Sequence, residues 1–402
     1  MASAGHGQGR TLSLFAYGFR PFFLAAGLAA VVLMLVWLAM SGGAVVPPGE
    51  WAGPLWHGHE MIFGFAVAVL AGFMLAAVPN WVGGRALSGW ALGMLFALWL
   101  AGRVVVALAG VLPDVLVAIV DCAFPLVLAG VLAPVPLARR QWRNLPLLAL
   151  LAVLALTNLR SHSTVVGWQE GAAGDALRVA VDIVVLFVII MGGRIVPAFT
   201  RNLLREPDRD PGIRDPKPLV AVAITATVAM GLADTVAPDA PLAAGIAALV
   251  AGLASAGRLF LWRGLAAAVR GNALLWVLHV AYGLFAAGLF LRGASALTAA
   301  VPVDVGAHVL TVGAVGLMIL AMTSRVSLGH TGRSLRAANL TVAAYGVLIA
   351  ATVARALAPV LPDGAYIPAV HLSGGLWALA FGLFLWVYAP ILTTRRPDGR
   401  PG

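Results

Sequence analysis

Histidine is the side chain with the widest chemical reach in this sequence, and six of its eight copies fall within or at the edge of long apolar runs. The densest point is Trp56-His57-Gly58-His59-Glu60-Met61. On a helix, His57 and His59 stand about 200° apart, so they face opposite ways and serve two neighbouring sites rather than chelate one ion. His57 shares a face with Glu60 and Met61, three and four residues on. Pro54 suits the start of a helix, and Gly58 leaves room for a flat group to approach. Imidazole binds iron, copper and zinc, and a thioether at Met61 favours copper(I). His162, His308 and His371 fall at the same outer depth as His57 and His59, with His279 deeper, near the middle of its span. His6 and His330 are placed in a tail and a loop on the inner side. A lone membrane histidine is as well explained as an interhelical hydrogen-bonder or surface anchor, and His162 and His371 suit that plainer role best. Six in the outer half or centre of the membrane favour a metal or haem.

Other ionisable groups inside the spans need partners. Arg103 and Asp121 share an outer depth on adjacent spans, and Arg178 and Asp182 are four apart on the sixth, so each couple is expected to pair. The rival role for Arg103 or Arg178 is to hold haem propionates in an electropositive outer pocket. Asp304, four residues before His308, either orients its imidazole as an acceptor or is a helix-start acid. MGGRIVPAFTRN (191–202) and TSRVSLGHTGR (323–333) put Arg194, Arg201, Arg325, His330 and Arg333 at inner span ends, either as charge that stops translocation or as a phosphate, quinone or proton-uptake site.

The elements that must position these residues are membrane spans. Of 402 residues 61% are hydrophobic and 10% charged, against about a quarter charged in soluble domains. Apolar runs predict twelve spans near 20–41, 57–80, 90–110, 115–136, 144–162, 175–197, 218–236, 241–262, 273–292, 302–325, 337–358 and 366–391, each long enough at about 1.5 Å per residue to cross roughly 30 Å of hydrocarbon. With the N-terminus cytoplasmic, 21 of the 26 basic residues lie on one side, which predicts both termini inside. The fold class expected is therefore an all-α polytopic membrane protein, one domain over 1–402. It has an inner tail at 1–19, a solvated connection at 198–217 between two six-span halves, and an inner tail at 392–402. The first apolar run is long enough to be a span in its own right, so no signal peptide is expected. The net charge of +10 lies almost wholly on arginines in short loops, which argues topology rather than nucleic-acid binding. The single cysteine, Cys122, excludes an intrachain disulfide, thiolate iron–sulfur ligation and C-x-x-C-H haem attachment. Phosphate-binding glycine loops, H-E-x-x-H and G-x-S-x-G are missing in usable context, removing sequence support for nucleotide-driven transport and hydrolysis.

FRPFFL (19–24), WHGHEMIFGFAVAVLAGFMLAAVPNWVG (56–83), GGRIVPAFTRN (192–202) and HVLTVGAVGLMILAMTSRVSLGHTGR (308–333) together resemble the NnrS family of bacterial membrane proteins. Beyond about residue 340 the resemblance is of general character only. It implies haem plus copper, a link to nitric oxide and nitrosative stress, and His57, His59, His308 and His330 as family positions. Joined to the residue-level reading, this predicts a haem–copper protein of the bacterial inner membrane that binds, and detoxifies or reduces, nitric oxide near the periplasmic face. His308 and one of His57 and His59 are the candidate ligands of a b-type haem, with the other, His279 and Met61 nearer copper. Glu60 is the local candidate for proton relay, or else a helix-start acid. Reduction needs electrons from a quinol or cytochrome partner, since no covalent cytochrome segment is present; lipid is the other expected partner, and nucleic acid is not. The competing expectations are a non-enzymatic haem, metal or nitric-oxide binder, and a secondary transporter with a histidine proton relay.

Overall fold

The chain was described from a computed structural model covering residues 13–82, 84–134, 137, 140, 142, 145–170, 173–205, 212–362 and 364–399. With no water in hydrocarbon to satisfy backbone polar groups, each apolar run closes its own hydrogen bonds as a helix. Among the described residues twelve helices are long and apolar enough to cross a bilayer: α1 Phe19–Ser41, α2 Gly53–Pro79, α3 Gly89–Ala107, α4 Asp114–Leu132, α5 Leu145–Val165, α6 Ala173–Leu204, α7 Lys217–Val236, α8 Pro241–Leu261, α9 Ala273–Leu297, α10 Val303–His330, α11 Asn339–Val360 and α12 Tyr366–Thr393. All twelve predicted spans are present, and no strand is formed among the described residues.

The boundaries differ where hydropathy and helix propensity part. Pro54 starts α2 earlier than expected, behind an extended Ala52. The helices α6 and α10 run on through their arginines to Leu204 and His330, because arginine is a good helix former and its head reaches the interface. The connection predicted from 198 therefore begins after Leu204, and His330 is the last residue of a helix, not part of a loop; its ring packs 5.5 Å from that of Phe19.

Successive helices pack side by side, and α12 returns to close against α1, making a ring of neighbours around the most enclosed helices, α2, α6, α9 and α10. The closure explains the FRPFFL block. Arg20, wholly buried, donates to the carbonyls of Leu392 (2.7 Å) and Thr394 (2.8 Å), capping the end of α12 and tying it to the start of α1.

Two of the central helices are interrupted in the same way. A seven-residue π-helical stretch follows His59 in α2 (Glu60–Ala66), and another follows His308 in α10 (Val309–Val315). Each holds a glycine five residues after its histidine, Gly64 and Gly313. A Cβ on Gly64 would stand 3.0 Å from Leu33 and 3.2 Å from Arg103, and one on Gly313 2.7 Å from Thr352, so the widened turns are places of close helix approach. Trp99 Nε1 donates to the Gly64 carbonyl at 3.1 Å, satisfying a backbone group within the widened turn. Such turns concentrate at functional sites, and here both follow the histidines singled out by type and spacing.

Candidate metal and haem sites

The first site is a buried polar cluster at the end of the bundle opposite the termini, built by α2, α3, α4 and α5. His59 Nδ1 lies 3.1 Å from Glu60 Oε1, and its Nε2 faces Asn158 Oδ1 at 2.8 Å and Asp121 Oδ2 at 3.0 Å. His162 Nε2 and Asn158 Nδ2 both donate to the same Asp121 oxygen, each at 2.9 Å. Arg103 bridges Glu60 with Nη1 and Asp121 with Nη2. The Trp51 ring covers His59 and His162 at 4.7 and 5.4 Å. All of these side chains except Arg103 are essentially out of solvent, so their charges must be settled among themselves. Both His59 nitrogens face oxygen acceptors, an arrangement met either by two protons or by a cation at one nitrogen.

His57 points away from that cluster, as the two-residue spacing requires. Its ring stacks on Trp37 of α1, with centroids 4.8 Å apart and planes at 18°. Its Nδ1 is buried without a hydrogen-bond partner. Across from it, His308 donates from Nδ1 to the Asp304 carbonyl at 2.8 Å, which fixes the tautomer and leaves Nε2 as the electron-pair donor. His57 and His308 lie within Coulomb range of each other, and Arg355 of α11 lies within range of both. Arg355 packs over the Tyr366 ring at 5.7 Å, places Nη2 3.8 Å from Asp304 Oδ2, and keeps Nη1 buried without a partner. An open imidazole, a pinned imidazole and a half-satisfied guanidinium, carried by α2, α10 and α11, thus lie within electrostatic reach of one another. Asp304 does orient His308, but through its backbone carbonyl; its carboxylate turns to Arg355.

The remaining expected residues divide. The Arg103–Asp121 pair is present and is extended by Glu60. The Arg178–Asp182 pair is not: Arg178 is 43% exposed and reaches back to Asp175 at 3.3 Å, while Asp182 is buried on the α9 side and bridged by Arg292, which also holds Asp234 of α7. Desolvation favours the enclosed guanidinium as partner, and the interfacial Arg178 stays in water. His279 does not join the other five histidines. It lies near the arginine-rich end of α9, with Nδ1 donating to Leu275 O at 3.0 Å and Nε2 3.3 Å from Thr200 Oγ1. His371 is an interhelical tie, its Nε2 2.9 Å from Ser41 Oγ at the end of α1. Met61 is half-buried against the core on the π-helical stretch and is no part of the histidine–aspartate group. At the other end, Arg325 stacks on Phe199 at 4.0 Å, and Arg258 is held by Asp215 at 2.8 and 2.9 Å. Asn158, Arg355, Arg292 and Asp234 were not anticipated from sequence.

Comparison with known proteins gives the same answer as the motifs. No curated protein matches the chain. The family model described as NnrS protein matches residues 13–396, including the spans beyond 340 where the motif resemblance is weakest. The chain therefore belongs to the NnrS family, membrane proteins linked to nitric oxide and to haem or metal binding.

Proposed function

We propose that this chain is a haem–copper protein of the bacterial inner membrane that binds nitric oxide in the half of the bilayer away from its termini, and that it removes the gas by reduction. The observation that carries the haem assignment is the grouping of His57, His308 and Arg355 within electrostatic reach, with one buried nitrogen on His57 and one on Arg355 lacking a partner. A buried ring nitrogen and a buried guanidinium nitrogen, both without partners, are costly in a finished core. A ligand offering a Lewis-acid metal and an anionic group removes both costs. Haem fits that description: when bound, its iron supplies a coordination position for a diatomic gas.

The residues divide the task of holding it. His308, its Nδ1 proton committed to Asp304 O, presents Nε2 in a fixed direction. His57, stacked on Trp37, is restrained from turning away. Arg355, steadied by Tyr366, keeps Nη1 buried and free of a partner, the donor that a propionate needs. This role falls to Arg355 in place of Arg178, which is solvent-facing, and of Arg103, whose fork is committed to Glu60 and Asp121. Glu60, tied to Arg103 and His59, acts as a fixed charge rather than a proton relay. Nitric oxide is uncharged and partitions into lipid, so a site between helices at this depth is reachable from hydrocarbon. Reduction of two nitric oxide molecules to nitrous oxide and water takes two electrons and two protons, the electrons from a quinol or cytochrome partner and the protons from that quinol or from water at the membrane face.

The test is the optical spectrum of detergent-purified, dithionite-reduced protein taken anaerobically before and after nitric oxide. Haem bands that shift with the gas, are lost or altered in His57→Ala and His308→Ala, and weaken in Arg355→Leu but not Arg355→Lys are expected. Absence of haem after expression with ample haem supply, or unchanged spectra in both histidine variants, overturns the assignment. Electrode-measured consumption with excess reductant then separates turnover from a sink that stops at about one equivalent.

A further inference from the structure

His59, Asp121 and His162 each offer one ligand atom, and the three atoms all lie within 4.8 Å of one another, fully buried. They come from α2, α4 and α5, so the spacing is set by packing of separate helices and not by one flexible loop. Ligands about 2.0–2.1 Å from a tetrahedral metal stand roughly 3.3 Å apart. Asp121 Oδ2 is 3.0 Å from His59 Nε2 and 2.9 Å from His162 Nε2, so a few tenths of an ångström of expansion admits an ion.

The charge count narrows the ion. Glu60 and Asp121 bring two negative charges and Arg103 one positive charge, in a site with no solvent to absorb the remainder. A monovalent cation brings the group to neutrality; a divalent one leaves it positive and sealed in hydrocarbon. Two imidazoles with a carboxylate are donors for borderline first-row metals, and copper is the member of that series with a stable monovalent state. The surroundings hold the ligands in place. Glu60 takes His59 Nδ1, which orients Nε2 inward, and Asn158 and Arg103 steer the Asp121 carboxylate.

We propose that His59, Asp121 and His162 form a binding site for one copper(I) ion, separate from the His57–His308–Arg355 site. The proposal rests on the copper half of the reading above; of the expected candidate ligands it keeps His59 and His162, and it puts Asp121 in place of His279 and Met61. His57 and His59, two residues apart on one helix, then serve two different cofactors.

The experiment uses the full-length protein in detergent, stripped of metal and titrated anaerobically with copper(I) against a chromogenic chelator, with haem absorbance recorded on every sample. One chelator-resistant copper per chain is expected, with an X-ray absorption shell of nitrogen and oxygen and no sulfur. His162→Gln, which keeps a donor for Asp121, and Asp121→Asn should lose that copper. Asn158→Ala, which removes only a supporting contact, should weaken it by about 10–100-fold. Haem bands retained in His162→Gln show that the fold and the other site are intact. Wild-type protein that carries haem but holds no copper, a sulfur-containing shell, or undiminished copper in His162→Gln overturns the proposal. Copper bound without haem leaves it standing and overturns the haem reading instead.

Discussion

Replacing Arg103 with methionine is the sharpest probe of how the first site is held together. Methionine keeps the length and apolar stem of the side chain but removes the fork that joins Glu60 to Asp121. The two carboxylates stay behind, 2% and 0% exposed, facing the imidazoles of His59 and His162 but no guanidinium. Breaking a buried pair by deleting one partner costs about 3–5 kcal/mol, because the charge left behind keeps its desolvation penalty without its offset. For 402 residues at about 2.1 cal/mol/K each, that cost lowers the melting temperature by about 4–6 °C. The assay is thermal unfolding in one detergent, followed by tryptophan fluorescence, with Arg103→Lys and the double variant Arg103→Met/Glu60→Gln alongside. Lysine keeps the charge but cannot span two carboxylates as a planar fork does, so it should fall between wild type and methionine. The double variant removes one of the two stranded charges and should recover part of the loss. A melting temperature for Arg103→Met within a degree of wild type, or a double variant no better than the single, would falsify the view that this arginine holds the cluster by charge.

Three further outcomes follow from the same physics. Arg292→Met strands Asp182 and Asp234 and should destabilise by about 3–5 kcal/mol, whereas Asp234→Asn should be close to neutral, since one guanidinium there already faces two carboxylates; paired melts compare them. Gly193→Ala should destabilise strongly, because a Cβ would overlap the Arg258 guanidinium held by Asp215; a melt equal to wild type would show that Arg258 can relocate freely. Arg178→Ala should change stability by less than about 1 kcal/mol and leave haem content unchanged, as befits an exposed pair with Asp175; loss of haem would return it to the propionate role.

The twelve helices were legible because hydrocarbon permits so few solutions: a long apolar run must be a helix, and charge placement orients it. Helix ends were less legible, since hydropathy stops at Arg194 and Arg325 while helical hydrogen bonding does not. The opposite facing of His57 and His59 followed from helical geometry alone. Partners across helices did not, because nothing in one span states which other span it meets. Arg178 and Asp182 were paired on sequence distance, and the actual partner of Asp182 is 110 residues away on α9. A signal for the missed residues was nonetheless present. Five basic residues, Arg103, Arg160, Arg178, Arg292 and Arg355, fall outside the arginine-rich end, and three of them are the guanidiniums that meet buried carboxylates or the open histidine site. Arginines that break the orienting rule are thus a sequence signal for buried ion pairs, alongside the histidines.

Two arginine bridges of one kind stand at the same end of the bundle: Glu60–Arg103–Asp121, and Asp182–Arg292–Asp234. Both set two buried carboxylates against one guanidinium, so each has one carboxylate more than it has guanidiniums. They differ in their neighbours. The first has two imidazoles within ligand distance of its aspartate, and no such group surrounds the second among the described residues. If excess charge alone drew a metal into this membrane, both bridges would hold one; if directed nitrogen donors decide, only the first does. Asp182→Asn should therefore leave copper per chain unchanged, while Asp121→Asn abolishes it, although each substitution removes one carboxylate from an arginine bridge of the same kind. Copper lost equally from both variants would mean that the ion is held by the field of the bundle and not by the ligands of α2, α4 and α5.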